Sequence, residues 1–173
     1  TFRANSDDGS GDREQGADGR VLRDNVYGSI EDDAVRRDFT ANALYYAIGD
    51  FSVRDYVGGF EDVNNRVMRL IGDPETRYRE DPVRMLRGYR LSATLGFHLA
   101  EPTRAAVKRH ATRIDEVAAE RIGYEMDLIF SSARTAVTLE AMAGDGLLPF
   151  LLPELYRAEG VEQPEFHHLD VFG

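Results

Sequence analysis

The 173-residue sequence contains no cysteine and no tryptophan, and Lys108 is its only lysine. A chain without cysteine forms neither disulfides nor thiolate metal sites, and this favours a cytoplasmic protein. No run is apolar enough to cross a bilayer and no signal peptide is recognisable, so we expect no membrane contact. Because lysine is nearly absent, the positive charge is almost all arginine, whose planar guanidinium suits bidentate contacts with phosphates and carboxylates.

The charge is distributed unevenly along the chain. The net charge of −10 argues against nucleic-acid binding over the whole surface. Acids dominate residues 4–33, whereas five arginines lie within residues 77–90. An acidic protein with one basic stretch is compatible with a local groove for nucleic acid.

The composition changes near residue 75 from a mixed α/β part to an all-helical part, which predicts an α+β, mostly α fold. We expect a mobile loop over residues 4–20 and a helix from Asp32 to Ile48, broken near Phe39. Further predicted elements are strands at 51–57 and 67–71, paired as an antiparallel hairpin, and helices at 76–95, 101–111, 119–131, 133–143 and 147–157. Residues 1–3 resemble the end of a strand and residues 159–173 stop abruptly, so the sequence is interpreted as a fragment.

The most informative stretch is residues 79–90, REDPVRMLRGYR, interpreted as one helix. At about 100° per residue, Glu80, Arg84 and Arg87 share one sector of that helix, and Asp81 lies beside it. The opposite side carries the residues expected to be buried: Pro82, Met85, Leu86 and Tyr89. The pattern predicts a helix with a buried back and a charged front.

The charged front has two interpretations. Asp only accepts hydrogen bonds and Arg only donates them, so an Asp81–Arg84 fork matches adenine or cytosine, which place an amine beside a ring-nitrogen acceptor. Guanine and uracil present the reverse order and would leave buried acceptors unsatisfied. In the alternative interpretation, these charges are i,i+3 and i,i+4 ion pairs on a solvated helix face.

A second polar cluster, residues 36–43 with the sequence RRDFTANA, lies at the expected helix break. Arg36 and Arg37 could hold phosphates, and Asp38 or Asn42 could bind sugar hydroxyls. The alternative is a helix N-terminus at which Thr40 is the cap and Asp38 complements the helix dipole.

Together the two clusters resemble a known family. The strings RRDFTANALYY, DYVGGFEDV and RLIGDPETRYREDPVRMLRGYRLSATLGF resemble the bacterial poly(A) polymerase and tRNA CCA-adding nucleotidyltransferases, the class II branch of the polymerase-β superfamily. The resemblance runs from Thr1 to about Pro153. It implies that residues 1–75 are the C-terminal part of a nucleotidyltransferase head, that 76–158 are a helical neck that binds nucleotide and RNA, and that 159–173 start a helical body.

The resemblance also implies roles for residues of this chain. Asp81 and Arg84 would read the base, and Arg87 would orient them. The full set expected to bind the nucleotide is Arg36, Arg37, Asp38, Thr40, Asn42, Glu80, Asp81, Arg84, Arg87 and Arg90. Asp38 is in addition a candidate supporting catalytic group, and four residues are expected to support the motifs: Asp62, Glu120, Arg121 and Glu125.

The implied activity is transfer of AMP from ATP to an RNA 3′-hydroxyl, with release of pyrophosphate and with Mg²⁺. Tyr45-Tyr46 and the preceding string GRVLRDNVYGSIEDDA are more similar to the poly(A) polymerase branch, so polynucleotide adenylyltransferase is predicted. A CCA-adding enzyme and a non-catalytic nucleotide- or RNA-binding module are the alternatives. The family's metal-binding Asp-x-Asp is expected upstream, so we expect no metal ligands on this chain and no catalysis by it alone.

The tail of the sequence carries His167, His168 and Asp170, whose spacing also occurs in metal-binding phosphohydrolases. Too few ligands follow to complete such a site, so a structural or inert role is predicted for them.

Overall fold

The computed structural model describes residues 14–15, 21–23, 29–158 and 160–161. Its strands are β1 (Glu14–Gln15), β2 (Val21–Arg23), β3 (Leu44–Ala47), β4 (Ser52–Asp55), β5 (Val67–Met68) and β6 (His98–Leu99). Its α-helices are α1 (Ile30–Arg36), α2 (Gly59–Asn64), α3 (Pro74–Glu80), α4 (Arg84–Leu95), α5 (Glu101–His110), α6 (Ala119–Phe130), α7 (Thr135–Gly144), α8 (Leu148–Leu151) and α9 (Pro153–Tyr156). Thr40–Asn42 and Ala111–Glu116 are 3₁₀ helices. The predicted α+β, mostly α fold is confirmed.

Helix α1 begins at a capping box, in which Ser29 and Asp32 bond each other's backbone amides. The helix predicted to continue to Ile48 is wrong, because residues 44–47 form β3, which pairs antiparallel with β4. The 3₁₀ helix at residues 40–42 redirects the chain, and the aromatic pair that follows it favours an extended backbone.

The predicted hairpin between residues 51–57 and 67–71 is also wrong. Strand β5 pairs parallel with β6, and Val67 lies opposite His98. Because this partner lies 31 residues further along the chain, no local sequence pattern indicates the pairing. Helix α2, between β4 and β5, and strand β6 were both missed.

The helix predicted over residues 76–95 is broken. Helix α3 ends at Glu80, and α4 starts at Arg84. Asp81 has an extended backbone (φ −152°, ψ 97°), as expected for a residue that precedes a proline. Glu80 and Asp81 therefore do not lie on the same helix as Arg84, and their predicted shared helical sector does not exist.

The later helices follow the predicted ranges closely, and their buried sides form one core with the first part of the chain. Phe39 is fully buried in this core and forms an isolated bridge with Leu70. The back of α4 is buried as predicted, and Leu147 and Leu148 are fully buried beside it. Within the part that the structure describes, no helix has the length and apolarity needed to span a membrane.

Two predictions concern residues at the ends of the chain. Within the predicted mobile loop over residues 4–20, residues 14–15 pair antiparallel with β2. The rest of that loop, the strand end at residues 1–3 and the tail with His167, His168 and Asp170 lie outside the described residues.

Candidate functional site

The break between α3 and α4 positions the two residues predicted to read a base. Asp81 caps the end of α3, and Arg84 is the first residue of α4. The amide of Arg84 donates to the carbonyl of Asp81 at 3.2 Å, which closes a tight turn around Pro82. Because Met85 and Leu86 are fully buried, the start of α4 is fixed against the core.

Arg84 is held by acids from two other parts of the chain. Its Nε donates to Asp38 Oδ1 at 2.8 Å, and its Nη1 donates to Glu80 Oε2 at 2.9 Å and to the carbonyl of Arg77 at 2.8 Å. No described residue bonds Nη2 of Arg84. The side chain is therefore anchored through two nitrogens and keeps the third available as a donor.

Asp38 is placed beside α4 by the bridge between Phe39 and Leu70. Its carbonyl accepts from the amide of Ile71 at 2.9 Å, so its backbone is fixed on this side as well. Its carboxylate accepts from Arg84 and, through Oδ2, from Arg87 Nη1. Burial raises the pKa of Asp38, but the hydrogen bonds from these arginines outweigh burial and hold the pKa below the ordinary value for a carboxyl.

Asp81 is held from the opposite side, by α6. Arg121 Nη2 donates to Asp81 Oδ2 at 2.8 Å. The other carboxylate oxygen, Oδ1, accepts only a long 3.4 Å bond from the amide of Val83. Asp81 thus keeps one oxygen with most of its acceptor capacity, as Arg84 keeps one donor nitrogen.

Glu125 of α6 fixes the next two arginines of α4. Arg87 Nε donates to Glu125 Oε1 at 3.1 Å, and Arg90 Nε donates to Oε2 at 2.6 Å. The carboxylate is 5 % exposed, so it is a buried anion neutralised by two cations. A cleft of about 250 Å³ opens beside this contact, lined by Val83, Arg87, Glu120, Arg121, Tyr124 and Glu125.

The arginines of the 36–43 cluster make mainly intramolecular contacts. Arg37 Nε donates to Asp33 Oδ2 at 3.2 Å, and Arg37 Nη1 donates to the carbonyl of Asn42 at 2.9 Å. Arg36 Nη1 is buried and has no hydrogen-bond partner among the described residues. The carbonyls of Arg36 and Arg37 accept from Arg77 Nη2 at 3.1 and 2.8 Å. Of this set, Arg37 and Asn42 are exposed.

Thr40 and Asp62 form a hydrogen bond that is buried from solvent. Thr40 Oγ1 donates to Asp62 Oδ2 at 2.7 Å, and Arg69 holds the same carboxylate through Nε and Nη2 at 3.0–3.1 Å. Both Thr40 and Asp62 are buried. In this conformation, Thr40 supports the chain at the end of the 36–43 cluster and offers no surface to a ligand.

The structure thus brings together most of the residues predicted as a site, but through partners that the sequence did not reveal. Asp38 was predicted to bind sugar hydroxyls and to support catalysis, and here its carboxylate binds the arginines of α4. The contact between Arg121 and Asp81 joins residues 40 positions apart, and Arg69 was missed as the partner of Asp62. Only the proline after Asp81 carried a local signal, because it breaks the helix.

The described residues do not fit a magnesium site. No group of three or more His, Cys, Asp or Glu side chains among them is arranged to hold a metal ion. The carboxylate of Asp38 is engaged by guanidinium groups on both oxygens. No step involving a metal is therefore derived for this chain.

Two family models match the chain. The model described as "Poly A polymerase head domain" matches residues 1–69, and the model described as "Probable RNA and SrmB- binding site of polymerase A" matches residues 96–158. Poly(A) polymerase I of Salmonella typhimurium is 44% identical over 160 residues, which is 91% of this chain and 34% of that protein. An A-adding tRNA nucleotidyltransferase of Deinococcus radiodurans is 41% identical over 152 residues, 83% of this chain and 34% of that protein. The chain thus spans about a third of the length of these relatives.

Solved structures share the same architecture. The Bacillus stearothermophilus CCA-adding enzyme in complex with CTP superposes with a TM-score of 0.71 at 34% identity, over 75% of this chain and 33% of that one. The fold is therefore that of the nucleotidyltransferases. The chain belongs to the bacterial poly(A) polymerase and tRNA CCA-adding nucleotidyltransferase family.

Proposed function

We propose that this chain is the base-reading part of a template-independent RNA 3′-end nucleotidyltransferase, and that the whole protein is a polynucleotide adenylyltransferase that uses ATP. The whole protein would transfer AMP to an RNA 3′-hydroxyl and release pyrophosphate. The 44% identity to a poly(A) polymerase I supports the choice of this branch. The role of Mg²⁺ follows from the family resemblance and belongs to the same proposal.

One observation carries the proposal, the pair of uncommitted atoms on Asp81 and Arg84. Asp81 is anchored by Arg121 through Oδ2, and Arg84 is anchored by Asp38 and Glu80 through Nε and Nη1. Oδ1 of Asp81 and Nη2 of Arg84 remain as an acceptor and a donor on pre-positioned side chains. A ligand that bonds both atoms must offer a donor and an acceptor on one edge, as the amine and ring nitrogen of adenine or cytosine do, whereas guanine and uracil offer the reverse order.

We extend the proposal to the organisation of the chain. Residues 1–75 would be head and residues 76–158 neck, and the two matched ranges, 1–69 and 96–158, support this division. The range between the two models, residues 70–95, contains α3, the turn with Asp81 and all of α4, and so includes the pair proposed to read the base. Arg36, Arg37 and Asn42 would hold sugar and phosphates, and Arg77 and Arg90 would contact the RNA or nucleotide backbone, after partial exchange of their present partners.

The test is incorporation of each of the four nucleotides by the full-length protein, for wild type and for Asp81→Ala. Wild type should prefer ATP, and the variant should lose discrimination against GTP and UTP by about 5- to 100-fold, the range expected for one paired-edge contact. Phosphate affinity should change little, because Asp81 contacts no phosphate in this proposal. Asp127→Ala, which removes an exposed carboxylate of α6 outside the site, is the matched control and should behave as wild type. Unchanged selectivity in Asp81→Ala would contradict the assignment.

CCA addition is the second candidate, because the fork accepts cytosine as well as adenine. A CCA-adding enzyme of Streptococcus gordonii is 37% identical over 127 residues, 73% of this chain. Incorporation from CTP and ATP on a tRNA that lacks its terminal CCA decides between the two. Ordered addition of C, C and A would replace the poly(A) assignment, and no incorporation of any nucleotide by the full-length protein would favour a non-catalytic binding module.

A further inference from the structure

A second cavity lies on the side of α4 that faces away from the proposed base-reading site. Its volume is about 340 Å³, and its walls come from α4, β6, α5 and α7. At about 100° per residue, Tyr89 and Ala93, which line it, project opposite Arg84 and Arg87. We call this the rear cavity, and its volume lies in the range typical of small-ligand pockets.

The floor of the rear cavity is a rigid polar network around Asp145. The carboxylate of Asp145 is fully buried and accepts from Tyr89 OH at 2.7 Å and from Arg104 Nε at 2.7–2.8 Å. Lys108 Nζ lies 3.4 Å from the same carboxylate. Two cations therefore serve one anion, and Glu101 at the rim balances the remaining positive charge of the floor, so Arg134 in the wall gives the cavity a formal surplus of one positive charge.

Two polar groups of the cavity, the guanidinium of Arg134 and the hydroxyl of Ser92, have no polar partner among the described residues. No carboxylate of the described residues lies within ion-pair distance of Arg134. Its guanidinium packs against Gly96, where an added Cβ would lie 2.8 Å from Arg134 Nη2. Ser92 Oγ is buried and has no hydrogen-bond partner among the described residues. A buried hydroxyl without a partner costs stability, which a ligand that bonds it would recover. Phe97 and Val137 supply apolar walls next to these groups.

We propose that the rear cavity binds one nucleotide of the RNA strand, away from the 3′ end that reacts; this rests on the proposed function. A base is flat and apolar on its faces and polar on its edge, so it fits between Phe97 and Val137 with its edge at Ser92. The phosphate of the same nucleotide would pair with Arg134, which has no carboxylate partner among the described residues. The excess of cations in an otherwise acidic chain favours this occupant over an apolar peptide, and the cavity lies largely within the region matched by the RNA-binding family model.

The test is equilibrium binding of a labelled oligoadenylate to the full-length protein at several salt concentrations, without ATP, so that the readout is independent of activity. Arg134→Gln should weaken binding several-fold and lower the slope of log K against log salt by about 0.7, the value for one phosphate contact on a single strand. Ser92→Ala should weaken binding while leaving the unliganded Tm unchanged or higher, because it removes an unpartnered hydroxyl. Arg157→Gln, an exposed arginine outside the cavity, is the control and should bind as wild type.

Val137→Trp tests the cavity itself, since it fills the mouth without changing charge, and should weaken binding by about 5- to 100-fold with an unchanged salt slope. Wild-type affinity in both Arg134→Gln and Ser92→Ala would overturn the inference even if the protein adenylates RNA. Competition separates the two sources of nucleotide: displacement of the oligoadenylate by AMP at equal nucleotide concentration would assign the cavity to free nucleotides and overturn the RNA assignment. Failure of the wild type to incorporate AMP would instead contradict the proposed function. Because binding is measured without ATP, the binding results test the RNA assignment of the rear cavity independently of that outcome.

Discussion

Replacing Asp38 by asparagine is the most direct perturbation of Arg84, the arginine that we propose reads the base. Asp38 accepts from Arg84 Nε at 2.8 Å and from Arg87 Nη1, and both carboxylate oxygens are used. An asparagine of the same shape keeps one acceptor oxygen but turns an NH₂ donor toward the other guanidinium. The substitution therefore removes a negative charge between two cations and creates a donor–donor clash.

The magnitude follows from burial and from the contacts that remain. Removing one partner of a buried ion pair costs about 3–5 kcal/mol. Asp38 is 18% exposed, and each arginine keeps a second carboxylate, Glu80 for Arg84 and Glu125 for Arg87. We therefore expect a smaller loss of about 2–3 kcal/mol in the free energy of unfolding, which lowers Tm by several degrees.

The effect should depend on pH with a defined sign. The pKa of Asp38 is lower in the folded state than in the unfolded chain, so its stabilisation is fully present above the unfolded pKa of about 3.9. It is lost as the pH falls through the folded pKa, because protonation then occurs in both states. The difference in Tm between wild type and Asp38→Asn should be constant above about pH 5 and should shrink below about pH 4.

The assay is thermal unfolding of the full-length protein from pH 3 to pH 8, combined with nucleotide selectivity at neutral pH. Asp38→Asn should lower Tm and weaken discrimination among the four bases, because Arg84 loses one of its two anchoring acids. Asp50→Asn is the matched control, since Asp50 pairs with Arg54 at 3.3 Å where both side chains are about half exposed, and it should leave both properties near wild type. Equal Tm for Asp38→Asn and Asp50→Asn across the pH range would refute the reasoning.

Four further substitutions test the packing of the fold, each by thermal unfolding. Glu125→Gln removes a buried anion from between two arginines of α4 and should cost about 3 kcal/mol; an unchanged Tm would show that these contacts do not stabilise the fold. Gly59→Ala places a Cβ 2.2 Å from the backbone oxygen of Thr40 and should cost at least about 2 kcal/mol, whereas Gly123→Ala, within α6 and in open space, should stabilise by about 0.5–1 kcal/mol. The reverse order of the two alanines would contradict the close approach of α2. Asp145→Asn leaves its cations without a buried partner and should cost about 3 kcal/mol, and a gain in stability would argue against the network below the rear cavity.

Local rules explain the elements that the sequence predicted well. Helices α5, α6 and α7 fall within about two residues of the predicted ranges, because apolar spacing and terminal residues act within single elements. The cap at Ser29 is equally local. The pairing of β5 with β6 and the strand at residues 44–47 were not predicted, because strand pairing depends on a partner elsewhere in the chain.

The same contrast, between local features that the sequence shows and contacts between distant residues that it does not, applies to the site. The residue types of the fork were visible in the sequence, and so was the proline that places Asp81 outside the helix, although its consequence for the shared helical sector was missed. The anchors were not visible: Asp38 lies 46 residues from Arg84, and Arg121 lies 40 residues from Asp81. A sequence shows which groups could recognise a base, whereas the groups that hold them in place are set by tertiary packing.

The anchors also couple base reading to the contact between the two parts of the chain. In the proposed division at residue 75, Asp38 belongs to the head and Arg84 to the neck, and the 2.8 Å bond between them would be one of the contacts that join the two. If the two parts separate, Arg84 loses the acid that fixes its Nε, and its free Nη2 is no longer pre-positioned for a base. Selectivity should therefore be present only when the parts are in contact. Asp38→Asn should then reduce discrimination among bases more than it raises KM for ATP, whereas a rise in KM alone would show that Asp38 binds the nucleotide and does not position Arg84.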